Sequence, residues 1–305
     1  MGSRWTWRLV ALPGVAWLSV FFLVAFYAIL AVAFGNQDTL LQPVPHWNPL
    51  DWNVGYVADM FDNFFSGGPF LKVSLRTIEF VAIAVALSLL VGYPVAYFTA
   101  KHAGRWKGVI LLALILPLWI NYLMRMLAWI NLLAPDGIGS DLLHTFGIED
   151  LFLKIGLLDE PGGWLNGQPT TVILALMYGY IPFFILPLFV AIDRIDRRHI
   201  DAARDLGASP ASAFFRVTLP LSMPGILAGA VLIALPMFGD YYTADLVSAS
   251  TQTNMIGNQI DEFMRQGSEK VTGAALTLLL SLFLLVLMFY YLRTTRRAGT
   301  TVEDT

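Results

Sequence analysis

The side chains able to do chemistry in this sequence are few, and they lack the groupings that catalysis needs. It contains no cysteine, so it offers no thiolate nucleophile, disulfide or cysteine-based metal site. His46, His102, His144 and His199 are spread over different loops, without the short spacing that gathers two imidazoles around a metal. A glycine-rich phosphate loop of the GxxxxGK[ST] type is absent. No catalytic residue, metal ligand or cofactor site is therefore assigned. What remains is recognition chemistry, carried by a few polar residues in long apolar runs and by one patterned polar loop.

Arg125 is the only charge in 109–134. A charge at the centre of a membrane helix costs about 2.5 to 3.5 kcal/mol on insertion scales, so it faces protein or water. Pro117, Asn121, Arg125 and Trp129 recur every four residues, which predicts one face of a helix turned into the protein. Trp119, Asn121 and Tyr122 stand in the same run, and the two aromatic faces among them could hold a cation by about 0.5 to 2 kcal/mol. A second group lies further on, where Pro236 and Gly239 precede Asp240, Tyr241, Tyr242 and Asp245. Proline removes a backbone donor and disfavours continuation of a helix. The acids and tyrosines that follow suit an organic cation, and they equally suit a helix end anchored at the interface.

The patterned loop runs Asp201-Ala202-Ala203-Arg204-Asp205-Leu206-Gly207, then nine residues, then Val217-Thr218-Leu219-Pro220. Ala202, Ala203 and Leu206 favour helix, and Gly207 suits the left-handed position that ends one. Ser209 and Pro210 supply an N-cap and first helical position for a second helix, on which Phe214 and Phe215 offer apolar bulk. A helical hairpin with a hinge is predicted, whether as a docking element or as an ordinary solvated loop.

The elements that position these residues follow from composition. Of 305 residues, 57% are hydrophobic and 13% charged, against about 25% charged in soluble domains. Lipid must cover the excess, which requires apolar runs of about 20 residues. Residues 9–34, 80–100, 169–192, 217–239 and 271–292 carry no charge, and 109–134 carries only Arg125, which predicts six spans. The first is expected to be retained as an anchor, its apolar run being longer than that of a cleaved signal. Thirteen Lys and Arg fall in the terminal segments and in the loops after spans two, four and six, and five fall in the other set, so both termini are expected to be cytoplasmic. The outer segments 35–76 and 135–168 are expected to hold short helices at the membrane surface. The net charge of -3 gives no sign of a nucleic-acid partner.

The loop matches the spacing of the EAA motif of ABC importer permeases, E-A-A-x3-G-x9-I-x-L-P, with Asp201 in place of Glu and Val217 in place of Ile. With Leu90 to Tyr97, Leu116 to Asn121 and Pro220 to Ile226, the sequence resembles the PotB/PotH group of spermidine/putrescine permeases over about residues 10 to 295. The resemblance implies an all-α integral membrane protein with six transmembrane helices, the type I ABC importer permease (MetI-like) fold, as one domain over 1–305 in a bacterial inner membrane. It implies lipid surroundings, a second permease subunit, an ABC ATPase dimer that binds ATP and Mg, and an extracytoplasmic substrate-binding protein. The coupling loop would be about 193–220, with Asp201, Ala202, Ala203, Gly207, Ser209, Pro210, Phe214, Leu219 and Pro220 carrying the docking. The substrate path would draw on Trp119, Asn121, Tyr122, Asp240, Tyr241, Tyr242 and Asp245. Because Arg125 would repel a polycation, it is read as structural or as part of the subunit interface. Rival readings are an importer permease for a phosphonate, thiamine or ferric ion, and a secondary transporter, which would need coupling carboxylates near the midplane.

Overall fold

The computed structural model of the chain describes residues 4–39, 42–248, 250–266 and 269–303. Helix dominates, as it must where backbone polar groups have no water to bond to. In chain order the helices are α1 Arg4–Ala33, α2 Gly55–Phe65, α3 Pro69–Lys101, α4 Lys107–Ile115, α5 Tyr122–Leu133, α6 Ile138–Thr145 and α7 Ile148–Lys154. They continue with α8 Pro169–Asp193, α9 Arg197–Asp205, α10 Pro210–Ala213, α11 Leu219–Phe238, α12 Tyr242–Val247, α13 Ile256–Arg265 and α14 Lys270–Glu303. A two-residue hairpin pairs β1 (Asn36–Gln37) with β2 (Pro43–Val44) antiparallel.

Among the described residues, five helices are long and apolar enough to cross a membrane, lying in α1, α3, α8, the run from α10 to α11, and α14. A pair, 104–119 and 122–133, bent by 92° at the join, makes the sixth when counted as one broken span. This differs from the sequence reading, which placed Pro117, Asn121, Arg125 and Trp129 on one continuous face. Pro117 lies in a single 3-10 turn, Leu116–Trp119, and Ile120 is extended with ψ of 132°. Asn121 then starts α5 afresh, its side chain accepting from Leu123 N at 2.9 Å. A side chain that caps a helix competes with continuing the previous one, and here the cap prevails. Only Arg125 and Trp129 share the α5 face. The segments 35–76 and 135–168 do contain short helices, α2 in the first and α6 and α7 in the second.

The chain divides into two compact units. One comprises Met1–Leu71 with Gln259–Leu285, and its small core joins Met60, Ala275 and Leu276 to Val57, Phe70, Ile260 and Phe263. Phe34 stacks on Trp52 at 4.8 Å beside the hairpin. Along α1, large apolar side chains such as Val10, Trp17, Leu18 and Phe22 are exposed, an arrangement stable only in hydrocarbon or against protein.

The other unit, Lys72–Asn258 with Val286–Thr305, carries the polar residues of interest. Its centre is α8 against α11. Leu176, Phe184, Leu188 and Ile192 of α8 are fully buried, and a Cβ on Gly225 of α11 would lie 2.3 Å from that of Ala191. Close backbone approach at small residues replaces the hydrophobic drive that lipid cannot supply. A satellite cluster of Leu133, Leu158 and Trp164 secures the segment around α6 and α7.

Candidate functional site

Two interruptions of helix meet in this unit, one within the bent pair and one at the end of the span that closes with Phe238. One is the α4–α5 bend that ends in Asn121 and Tyr122. The other follows Phe238, where Gly239 and Asp240 separate α11 from α12. Asp240 makes the second break stable. Its Oδ1 accepts from Thr243 N at 2.9 Å, a side-chain bond to a backbone amide in the first turn of α12.

The remaining capacity of that carboxylate ties the breaks together. Three hydroxyls converge on Asp240 Oδ2: Tyr180 at 2.9 Å, Thr243 at 2.8 Å and Tyr122 at 3.0 Å. Tyr122 and Thr243 hydroxyls also lie 2.5 Å apart. Asp240 is 7% exposed, so these are buried bonds. The Tyr122 ring rests where a Cβ on Gly179 would stand, 2.7 Å from its Cε2, and the Arg125 guanidinium stands over the ring at 5.1 Å from its centre. Arg125, also 7% exposed, donates Nη1 to Gly179 O at 3.3 Å, while its Nε has no hydrogen-bond partner among the described residues. At the neighbouring residue, Asn258 donates to Tyr241 O at 2.5 Å.

Of the residues predicted for a path, Tyr122 and Asp240 therefore touch, and Arg125 supports Tyr122. Trp119, Asn121, Tyr242 and Asp245 are exposed and stand outside this network, Trp119 at 77% and Tyr242 at 44%. Tyr241 is half-buried and packs against Tyr242 with ring centres 4.0 Å apart and planes tilted by 31°. Sequence reading missed Tyr180, Thr243 and Gly179. Thr243 stands three residues after Asp240, close enough for a local bond, but no recognised helix-start pattern marks it. Tyr180, 60 residues from its partner, had no signal.

The loop between α8 and α11 is built from local chemistry. Asp196 caps α9 by accepting from Arg198 N at 3.0 Å. At the other end Ala208 N donates to Ala203 O at 3.0 Å and Gly207 N to Arg204 O at 2.9 Å. This pair of bonds requires the residue between helix and exit to be left-handed, and Gly207 has φ of +88°. Ser209 then caps α10 through Ser212 N at 3.2 Å, with Pro210 at its first position. Residues Phe214–Thr218 form a π turn, which leads into Leu219 and Pro220 at the start of α11. The half-buried Phe214 meets Tyr93 and Tyr97 of α3 edge-on at 5.5 and 5.8 Å. Asp201, Ala202, Ser209, Pro210 and Pro220 are exposed, Ala203 and Leu219 are half-buried, and Leu206 is 91% exposed.

A polytopic helical chain with a broken span and an exposed capped loop invites comparison with known transport proteins. Residues 88–299 match the family described as the binding-protein-dependent transport system inner membrane component. The chain belongs to this family. The permease is 31% identical over 288 residues to the spermidine/putrescine transport system permease protein PotB of Haemophilus influenzae, covering 94% of this chain and 93% of that one. It is 29% identical over 293 residues to PotB of Escherichia coli strain K12, covering 95% and 98%. A molybdenum transport system permease protein, ModB of Azotobacter vinelandii, is 32% identical over 51% of this chain and 63% of its own. In structure the permease is similar to a chain of a bacterial ABC transporter involved in import of alginate, with TM-score 0.69 and 17% identity over 96% of both chains. It is also similar to a chain of the inward-facing MetNI methionine ABC transporter, with TM-score 0.51 and 18% identity over 74% of this chain and 94% of that one. The fold is that of type I ABC importer permeases, and the permease is a multi-pass inner-membrane protein.

Proposed function

We propose that this permease, paired with a second permease, forms the membrane path of an ATP-driven importer of polyamines such as spermidine and putrescine. The observation that carries the substrate class is the similarity to PotB proteins along nearly the whole chain, 94–95% of it, whereas the ModB similarity covers half. Both termini and the α9–α10 loop face the cytoplasm in this reading, in keeping with the excess of Lys and Arg on that side. The loop docks on a partner ATPase that binds ATP and Mg, and an extracytoplasmic binding protein delivers the substrate.

The exposed groups near the breaks, Trp119, Tyr242 and Asp245, suit the substrate: aromatic faces and a carboxylate attract ammonium groups. Asp240 acts differently from the direct contact expected from the sequence. With its oxygens engaged by Tyr122, Tyr180 and Thr243, it positions the two breaks whose irregular backbone borders the path. Arg125 belongs to the support of Tyr122 and not to the path.

Reconstitution tests the assignment. The purified permease alone in proteoliposomes is expected neither to hydrolyse ATP nor to accumulate labelled spermidine under an imposed ion gradient. The full complex with its binding protein is expected to do both when ATP is enclosed. Gradient-driven accumulation by the single chain would make it a secondary transporter and overturn the proposal.

A further inference from the structure

The turn between α3 and α4 is fastened to the base of the α9–α10 loop from both of its ends. At one end, Lys101 donates to Ile195 O at 2.7 Å and Arg197 Nη2 returns a bond to Lys101 O at 3.1 Å. At the other end, Lys107 meets the Asp193 carboxylate at 2.6 Å and lies 5.0 Å above the Phe189 ring. Residues 189–197 span the last turn of α8 and the first residue of α9, so these contacts grip the junction from which the loop departs. The seven residues 101–107 in turn lead directly into α4, which ends in the bend before Tyr122.

We propose that Lys101, Lys107 and Asp193 are positioning residues for coupling: they make the 101–107 turn move with the loop and so carry its displacement into the broken third span. The proposal rests on the docking role assigned to the loop. The route is physically continuous. It passes from α9 through Asp193 and Ile195 to the turn, along α4 to the bend, and through Tyr122 to Asp240 at the second break. Two ionic or charge-assisted contacts and one returned main-chain bond, spaced six residues apart, resist both sliding and rotation of the turn against the junction. An isolated half-exposed pair such as Lys107–Asp193 contributes little to folding, so its removal is expected to be felt in coupling more than in assembly.

The test uses the complete complex in proteoliposomes with its binding protein, measuring ATP hydrolysed per labelled spermidine taken up. K107D, which sets two carboxylates against each other, is expected to lower uptake at least fivefold while hydrolysis falls less than twofold, so the ratio rises. The exchange K107D/D193K is expected to restore uptake to within twofold. Lys101→Met, which keeps the stem and removes the bond to Ile195, is expected to raise the ratio two- to threefold, and it carries the test should K107D fail to assemble. An unchanged ratio in Lys101→Met and in any assembled K107D, or no rescue by the exchange, overturns the proposal. Gly207→Val separates the two levels. If it stops uptake while the Lys variants keep a normal ratio, only the turn's role fails; if it leaves uptake intact, the docking reading itself fails.

Discussion

Valine in place of Gly207 is expected to lower ATP-driven uptake at least tenfold while leaving the permease in the membrane at normal abundance. A Cβ at this position meets nothing within 4 Å, so the effect does not come from a clash with neighbours. It comes from the backbone, because φ is +88° and a β-branched residue there costs about 1 to 3 kcal/mol. That is small beside the stability of a domain, about 5 to 15 kcal/mol. It is large for one loop geometry, since 1.4 kcal/mol shifts an equilibrium tenfold. The chain relieves the strain by turning Gly207 out of the left-handed region, which breaks the bonds from Gly207 to Arg204 and from Ala208 to Ala203 and swings α9 away from α10. Gly207→Asn is the control, because asparagine tolerates the left-handed region and is expected to keep at least a third of the uptake. Quantitative blotting of membranes beside uptake in proteoliposomes checks both. Full transport by Gly207→Val would remove the reason to regard the hairpin as a docking element.

Asp240→Asn is expected to lower the maximal rate of uptake more than tenfold and to lower the thermal midpoint of the purified complex. The carboxylate accepts from three hydroxyls and one backbone amide, and hydrogen bonds to a charged group are worth about 1.5 to 3 kcal/mol each. An asparagine keeps one acceptor oxygen and turns an NH2 donor toward groups that are themselves donors. The two breaks are then no longer held together. Because the carboxylate touches protein and not solute in this arrangement, the apparent KM for spermidine is expected to change less than threefold. Asp245→Asn should show the opposite division, with a normal rate and a KM raised about two- to fivefold, as befits an exposed charge worth up to about 1 kcal/mol. A large rise in KM for Asp240→Asn at unchanged stability would return Asp240 to the substrate path.

The parts of this structure legible in the sequence are those decided within a few residues. Runs without charge marked the spans, and Gly207, Ser209 and Pro210 act through backbone preferences that hold wherever they occur. The bend in the third span was misread for a physical reason. A four-residue recurrence fits a continuous helix, but Asn121 caps the next helix, and the capping bond to Leu123 decides between the two only once Ile120 is extended. The partners of Asp240 were illegible because they are distant, Tyr122 lying 118 residues away and Tyr180 60. No periodicity within one helix encodes such a meeting. The π turn at Phe214–Thr218 and the contacts of Phe214 with Tyr93 and Tyr97 of α3 likewise carry no mark in local preference.

The central claim is tested most directly by uptake of radiolabelled spermidine into proteoliposomes that hold the complete complex, with binding protein outside and ATP inside. The account predicts uptake that requires ATP and is displaced by unlabelled spermidine or putrescine, but not by a phosphonate, thiamine, ferric ion or molybdate at the same concentration. Absence of spermidine uptake from a complex that transports one of those other solutes would contradict it.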